Sequence, residues 1–243
     1  MDISTTRDVA PGRRIVVLPL GAFEQHGPHL PLHTDSLIIE TVVEAALTHP
    51  GIDRDRFLVA PTIAITASDE HAGFAGSLSC GTDALVDAVV AICRSASWAR
   101  GVCIVNGHGG NFDALRRIES ALQWEKIVHS VWSLPAYDGG DMHAGRTETS
   151  VLLHIAPHLV HLERVEPGAV DLTSGDMASM RTGGVRAVSS NGILGDPARA
   201  TSDHGREVLE MYRDALVATL TSAASTWPDV DADEASHEST PER

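Results

Sequence analysis

Residues 20–35 read Leu-Gly-Ala-Phe-Glu-Gln-His-Gly-Pro-His-Leu-Pro-Leu-His-Thr-Asp and place Glu24, His26 and Asp35 directly after a short apolar run. Carboxylate oxygens bind hard divalent cations, and imidazole nitrogens bind borderline cations such as zinc. A Glu-x-His pair where a strand leads into a loop therefore offers both kinds of ligand to one ion, and the later Asp could bridge to a second ion. The segment alone also fits a solvated loop, because three of the thirteen histidines fall within it.

A second segment of interest is Asn106-Gly-His-Gly-Gly-Asn111, which follows an apolar run and precedes a helical pattern. This position puts His108 at the carboxyl end of a strand, where open α/β folds place their sites. A phosphate-binding loop is the main competitor, but the segment lacks the Lys-Ser/Thr ending of a P-loop and the G-x-G-x-x-G spacing. A plain strand-to-helix turn with His108 at the surface remains an alternative.

Two further segments carry histidine and carboxylate side chains. In 141–150, His143 lies in a glycine-containing turn and Glu148 falls in the first turn of the next helix, where a carboxylate could serve only the helix dipole. In 68–71, Glu70 and His71 precede Gly73 and Gly76, and a solvated loop is the simpler interpretation of this segment alone.

The elements that must position these residues are indicated by hydrophobic patterning. Apolar runs rich in β-branched residues predict buried strands at residues 15–20, 57–60, 101–105 and 127–132. Helical periodicity predicts helices at residues 36–48, 83–99, 112–124, 147–155 and 204–221. Strands alternating with helices of this length indicate a layered α/β domain with a mainly parallel sheet.

The four polar segments each follow a predicted strand, so the carboxyl edge of one sheet would gather them. Glu24, His26, Asp35 and His108, with Glu148 as a fifth donor, have the mixed oxygen and nitrogen supply of a two-metal hydrolase in which Asp35 is shared. No G-x-S-x-G segment that would indicate a serine nucleophile is present.

Composition excludes several classes of protein. The formal net charge of −15, with only 18 Lys and Arg among 243 residues, argues against nucleic-acid binding. Three cysteines without C-x-x-C spacing indicate neither a disulfide framework nor a zinc knuckle, which fits the cytoplasm. No apolar run approaches the ~20 residues that span a bilayer, so we expect no membrane association.

The expected organisation is one domain over residues 1–224 followed by an acidic, disordered tail at 225–243. Residues 165–200 are rich in Gly, Ser and Pro without a clear period, and we expect a shaped loop with one or two short strands there.

Three motifs in order resemble the creatininase family of metal-dependent amidohydrolases: Glu-Gln-His-Gly-Pro-His-Leu-Pro-Leu-x-Thr-Asp, Asn-Gly-His-Gly-Gly-Asn and His-Ala-Gly-x-x-Glu-Thr-Ser. The resemblance runs from about residue 15 to residue 220. It implies a three-layer α/β/α sandwich that forms homo-oligomers. It also implies two divalent ions on the residues Glu24, His26, Asp35 and His108, and this mixed ligand set suits zinc, iron and manganese alike.

Two departures from creatininase itself affect the expected roles. Creatininase has a carboxylate where this chain has Gly110, so the second ion needs another ligand, for which Glu148 is the candidate. It also has a Glu where this chain has Met142, so the proton shuttle is expected to be His143. We therefore do not expect creatinine to be the substrate.

Segments beyond the metal motifs, at 67–74, 143–154, 179–189 and 192–197, resemble a peptidase branch of the family. This resemblance implies release of a C-terminal Val-Tyr dipeptide from a radical-modified precursor peptide during maturation of a redox cofactor. Catalytic roles are expected for His143 and Glu148, and the expected substrate contacts are Glu70, His71, Gly109, Gly110, Asn111 and Arg181. The alternatives are a hydrolase or deformylase of a small cyclic amide and a non-catalytic metal-binding scaffold.

Overall fold

The computed structural model describes residues 5–9 and 11–228. Its four strands are β1 (Ile15–Leu20), β2 (Phe57–Val59), β3 (Gly101–Asn106) and β4 (His129–Ser133). Its six α-helices are α1 (Thr34–Leu47), α2 (Gly81–Ser95), α3 (Phe112–Trp124), α4 (Arg146–Ile155), α5 (Ser174–Gly183) and α6 (Ser202–Thr226).

The sheet formed by the described residues is entirely parallel, with strand order β2-β1-β3-β4. All six residues of β1 and all six of β3 are buried. Burial on both faces explains why these strands read as continuous apolar runs rather than alternating ones.

Two cores, one on each face of the sheet, give the predicted three layers. Ile15 and Val17 of β1 pack with α1, α4 and α6 on one face. Val16 and Leu18 pack with α2 and α3 on the other face. Because side chains alternate along a strand, a single run of β1 anchors helices on both sides, and the predicted α/β/α sandwich is confirmed.

The ends of two helices lie farthest from their predicted positions. The second helix ends at Ser95 rather than at residue 99, and the Ala99 amide instead bonds the Ala96 carbonyl in a turn. The last helix begins at Ser202, where the Thr201 hydroxyl caps the His204 amide, and continues to Thr226. The first two residues of the predicted tail are thus helical, and the tail prediction for 229–243 lies outside the described residues.

The end of α6 is fastened to the start of β3. The buried guanidinium of Arg100 donates to the carbonyls of Ala224, Trp227 and Pro228. These bonds satisfy carbonyls that have no partner within the helix. The α4 and α6 layer is thereby tied to the sheet that carries the polar loops.

The prediction of a shaped loop with strands at 165–200 was wrong in part. Every residue of this stretch is described, and it contains α5 and no strand, apart from one isolated bridge between Leu194 and His143. A capping box between Thr173 and Asp176 begins α5. None of the residues of α5 is buried. Its sequence therefore lacks the regular spacing of apolar residues from which a helix is predicted.

No helix of the described residues is both long and apolar enough to cross a membrane.

Candidate metal centre

The carboxyl edge of the sheet gathers the predicted residues. Glu24 and His26 lie on the loop after β1, and Asp35 lies in the first turn of α1, at the end of that loop. His108 follows β3, and Glu148 lies in the first turn of α4, which follows β4. We call these five residues the ligand cluster.

One half of the ligand cluster is centred on His26. Its Nε2 lies 3.5 Å from Asp35 Oδ1 and 3.7 Å from Glu148 Oε2. Its other ring nitrogen, Nδ1, lies 3.1 Å from the Glu24 carbonyl oxygen. The backbone contact holds the ring so that Nε2 faces two carboxylates, as is usual for a metal-binding histidine.

The other half is centred on His108. Its Nδ1 lies 3.6 Å from Asp35 Oδ2, so the two oxygens of Asp35 face two different histidines. Its Nε2 lies 3.0 Å from the Ala67 carbonyl oxygen and 3.2 Å from Glu24 Oε2. This placement supports the predicted sharing of Asp35 between two ions.

Glu70 reaches into this half of the centre from the loop after β2. Its Oε1 lies 3.3 Å from His108 Nε2. A Cβ atom at Gly110 would lie only 1.9 Å from that oxygen. The space that a side chain at position 110 would need is therefore filled by the Glu70 carboxylate, which was predicted only as a substrate contact.

Glu148 is held at the cluster by the turn before α4. Its Oε2 accepts a hydrogen bond of 2.6 Å from the Ala144 amide, and Ala144 has a positive φ of 52°. Asp141 accepts bonds from the Arg146 and Thr147 amides and so caps the start of the helix. Glu148 is thus placed by its loop as well as by the helix.

His143 and His71 also line the centre, and Gln25 joins them. His143 Nδ1 lies 3.7 Å from Glu24 Oε1, and His71 Nε2 lies 3.2 Å from the same oxygen. The buried Gln25 side chain contacts both rings. Sequence reasoning missed Gln25, although its position between Glu24 and His26 was a usable signal.

Unpartnered buried atoms show that the site fits divalent metal ions. Both carboxylate oxygens of Glu24, Nε2 of His26 and Oδ2 of Asp35 are buried without a well-aligned hydrogen bond among the described residues. The nearby nitrogens lie at ion-pair distances but do not meet hydrogen-bond geometry. Since buried polar atoms are normally satisfied, a set of inward-facing carboxylate and imidazole atoms without partners indicates cation ligands.

The electrostatics of the metal-free centre shift the pKa of its groups strongly. Burial raises the pKa of Glu24 to about 8, against the opposing charge of His108. Burial lowers the pKa of His26, but Asp35 and Glu148 outweigh it and raise the value to about 10. Burial also lowers the pKa of His108, and Glu24 with Glu70 raises it to about 10. Without an ion, protons therefore occupy the nitrogens that face the carboxylates.

Metal binding is accordingly expected to release protons. His26 and His108 have an ordinary pKa of 6.5 and a raised one of about 10, so both rings are charged in the metal-free protein at neutral pH. An ion must displace these protons, and affinity should rise by about tenfold per pH unit for each proton displaced. Calorimetric zinc titration in buffers of different ionisation enthalpy measures the number released.

The variant His26→Gln is the control for this titration and should release one proton fewer. A zinc affinity that stays constant between about pH 6 and pH 8 would contradict the assignment of these protons.

The remaining predicted substrate contacts differ in where they lie. Gly109 is exposed, and a Cβ atom added there would meet no other atom within 4 Å. Asn111 is fully buried and joins two loops by accepting from the Ala67 amide and donating to Asn106. Arg181 is exposed on α5, and no hydrogen bond or ion pair within the described residues joins it to the ligand cluster. Substrate contact by these three residues stays a prediction.

Sequence comparison finds relatives over most of the chain. A protein named mycofactocin precursor peptide peptidase from Mycobacterium tuberculosis is 46% identical over 208 residues, which cover 83% of this chain and 82% of the relative. A protein of the same name from Mycolicibacterium smegmatis is 44% identical over 207 residues, covering 84% and 83%. Creatinine amidohydrolase from Pseudomonas putida is 31% identical over 187 residues, covering 65% of this chain and 70% of the relative.

Structural comparison finds the same fold in creatininases. A crystal structure of creatinine amidohydrolase matches with a TM-score of 0.71 at 24% identity, covering 88% of this chain and 92% of that chain. A structure titled as the manganese form of creatininase matches with a TM-score of 0.68 at 23% identity and the same coverage. The family model described as creatinine amidohydrolase matches residues 1–220. The chain therefore belongs to the creatininase family.

Proposed function

We propose that this protein is a metal-dependent peptidase that releases a C-terminal Val-Tyr dipeptide from the modified mycofactocin precursor peptide. The observation that carries the proposal is the 44–46% identity to relatives named mycofactocin precursor peptide peptidase, over 82% or more of both chains. The ligand cluster supplies the matching chemistry, because its unpartnered carboxylate and imidazole atoms fit cations. The dipeptide product is the one that the resemblance of the sequence implies.

We propose two divalent ions per subunit, zinc or iron, with manganese as a further candidate. Glu24, Asp35 and His108 would hold one ion, and His26, Asp35 and Glu148 would hold the other. When bound, such ions polarise a carbonyl and lower the pKa of water from about 15.7 toward ~7. The His and carboxylate set suits zinc, iron and manganese alike.

Side chains of the protein would then carry out the proton transfers. Burial lowers the pKa of His143 well below its usual value, so its resting ring is neutral and its protonated form would readily give a proton to the leaving amine. Its Nδ1 faces Glu24 Oε1, at the edge of the ligand cluster. His143 would take a proton from the attacking water and deliver it to the leaving amine, which is general acid–base catalysis. Burial raises the pKa of Glu148 to about 7, so this carboxyl could exchange a proton near neutral pH where no ion holds it.

We further propose that the protein acts in the cytoplasm as a homo-oligomer. The three cysteines, which indicate no disulfide framework, support the location, and the family resemblance supports the assembly.

The direct test is incubation of zinc- or iron-loaded protein with the radical-modified precursor peptide, followed by mass spectrometry of the products. We expect loss of the mass of Val-Tyr from the peptide and no hydrolysis of creatinine. The same protein stripped of metal is the matched control and should leave the peptide intact. Hydrolysis of creatinine or another small cyclic amide, without cleavage of the peptide, would instead support the alternative hydrolase. Protein that hydrolyses nothing in either state would support the scaffold.

A further inference from the structure

Backbone carbonyls determine which nitrogen carries a proton in three of the histidines that line the centre. His26 presents Nδ1 to the Glu24 carbonyl, and His108 presents Nε2 to the Ala67 carbonyl. A carbonyl oxygen only accepts, so the nitrogen next to it must carry a proton. The opposite nitrogen of each ring faces Asp35, so it becomes the ligand atom once its own proton is displaced.

His143 follows the same rule. Its Nε2 lies 2.8 Å from the Gln25 carbonyl oxygen, so Nε2 carries the proton of the neutral ring. Its Nδ1 faces Glu24 Oε1 with a lone pair. This ring can therefore accept a proton at the centre, as the proposed shuttle requires.

His71 is different because a side-chain amide sets its orientation. The amide of Gln25 can be oriented from two backbone contacts: its Oε1 accepts from the Gly27 amide, and its Nε2 donates to the Gly192 carbonyl. The second hydrogen of the same Nε2 then meets His71 Nδ1 at 2.9 Å. Its approach of 3.0 Å to His143 Nε2 is not a hydrogen bond, because that nitrogen is already a donor.

We infer that Gln25 is a positioning residue that holds His71 with its proton on Nε2, so that His71 presents an N–H group to the metal centre and is not a ligand. Nδ1 of His71 must accept from Gln25, and the neutral ring then has its proton on Nε2. That nitrogen lies 3.2 Å from Glu24 Oε1, so its N–H group faces this carboxylate, although the contact does not meet hydrogen-bond geometry in the metal-free structure. Glu24 Oε1 thus faces an N–H group of His71 and a lone pair of His143.

The space around Gln25 supports a positional role. A Cβ atom at Gly192 would lie 1.9 Å from Gln25 Oε1, and Gly192 has a positive φ of 83°. The segment after α5 therefore closes tightly over the amide and limits its rotation. The inference rests on the proposed function for its effect on hydrolysis, but the protonation pattern of His71 can be measured without any substrate.

The experiment is long-range proton–nitrogen NMR of ¹⁵N-histidine protein, metal-free and zinc-loaded, for wild type and Gln25→Glu. In wild type we expect His71 with its proton on Nε2 in both states. A carboxylate at position 25 accepts instead of donating, so the His71 proton should move to Nδ1 in the variant. His143 is the internal control, because the backbone carbonyl that fixes its proton is unchanged.

Hydrolysis gives the second measurement, and kcat of Gln25→Glu should fall by about 10–100-fold, the usual effect of losing an orienting partner.

The variant His71→Gln, whose amide can still donate, should keep the full zinc content and more activity than His71→Ala. This variant keeps the inference testable if Gln25→Glu does not fold. Wild-type His71 with its proton on Nδ1, or loss of an ion from His71→Gln, would overturn the inference. Correct NMR patterns in a protein that does not cleave the peptide would reject only the proposed function.

Discussion

Replacing Asp35 by asparagine is expected to remove the metal ions together with the activity. The two oxygens of Asp35 face His26 and His108, so this carboxylate contributes to both halves of the ligand cluster. Metal ions supply several kcal/mol of transition-state stabilisation, and about 1.4 kcal/mol corresponds to a factor of ten in rate. We therefore expect kcat/KM to fall by at least about 10³-fold and metal content to fall in elemental analysis.

The matched control is Glu44→Gln, which removes an exposed carboxylate from the same helix α1. It should keep the wild-type metal content and activity. Circular dichroism separates metal loss from unfolding. A folded Asp35→Asn protein with full metal content and more than about a tenth of the activity would show that Asp35 is not shared between ions.

The variant His143→Ala is expected to keep its ions but lose the proton shuttle. General acid–base catalysis contributes about 10²–10⁴-fold, and kcat should fall by that amount for an amide substrate. An ester analogue whose leaving phenolate needs no proton should be slowed much less. Stopped-flow or product analysis of the two substrates therefore isolates the protonation step.

The control for this variant is His154→Ala, because His154 is exposed on α4, away from the ligand cluster. Equal slowing of the amide and the ester would mean that His143 does not protonate the leaving group. Loss of an ion from His143→Ala would show that His143 is a metal ligand. Its proximity to Glu24 also permits that arrangement.

The sheet could be predicted from sequence because burial on both faces leaves a strong local signal. The runs at β1 and β3 are apolar without interruption, and their parallel pairing follows from the helices between them. The polar helix α5 could not be predicted, since it buries no residue and its sequence has no apolar stripe. Its start depends on a capping contact between Thr173 and Asp176.

The ligand cluster could be located because each of its segments follows a strand, and parallel strands bring their carboxyl ends to one edge. The contacts that refine its chemistry are not local in sequence. Gln25 meets Gly192 across 167 residues, and Glu70 fills the space beside Gly110 from another loop. The spacing of residues along the sequence cannot predict such contacts, because they depend on how separate loops close over the same edge of the sheet.

The most direct test of the metal centre is anomalous diffraction from crystals of the zinc-loaded protein. We predict two anomalous peaks per subunit, with Asp35 in contact with both, His108 and Glu24 at one and His26 and Glu148 at the other. A single peak, or two peaks that do not share Asp35, would contradict this arrangement.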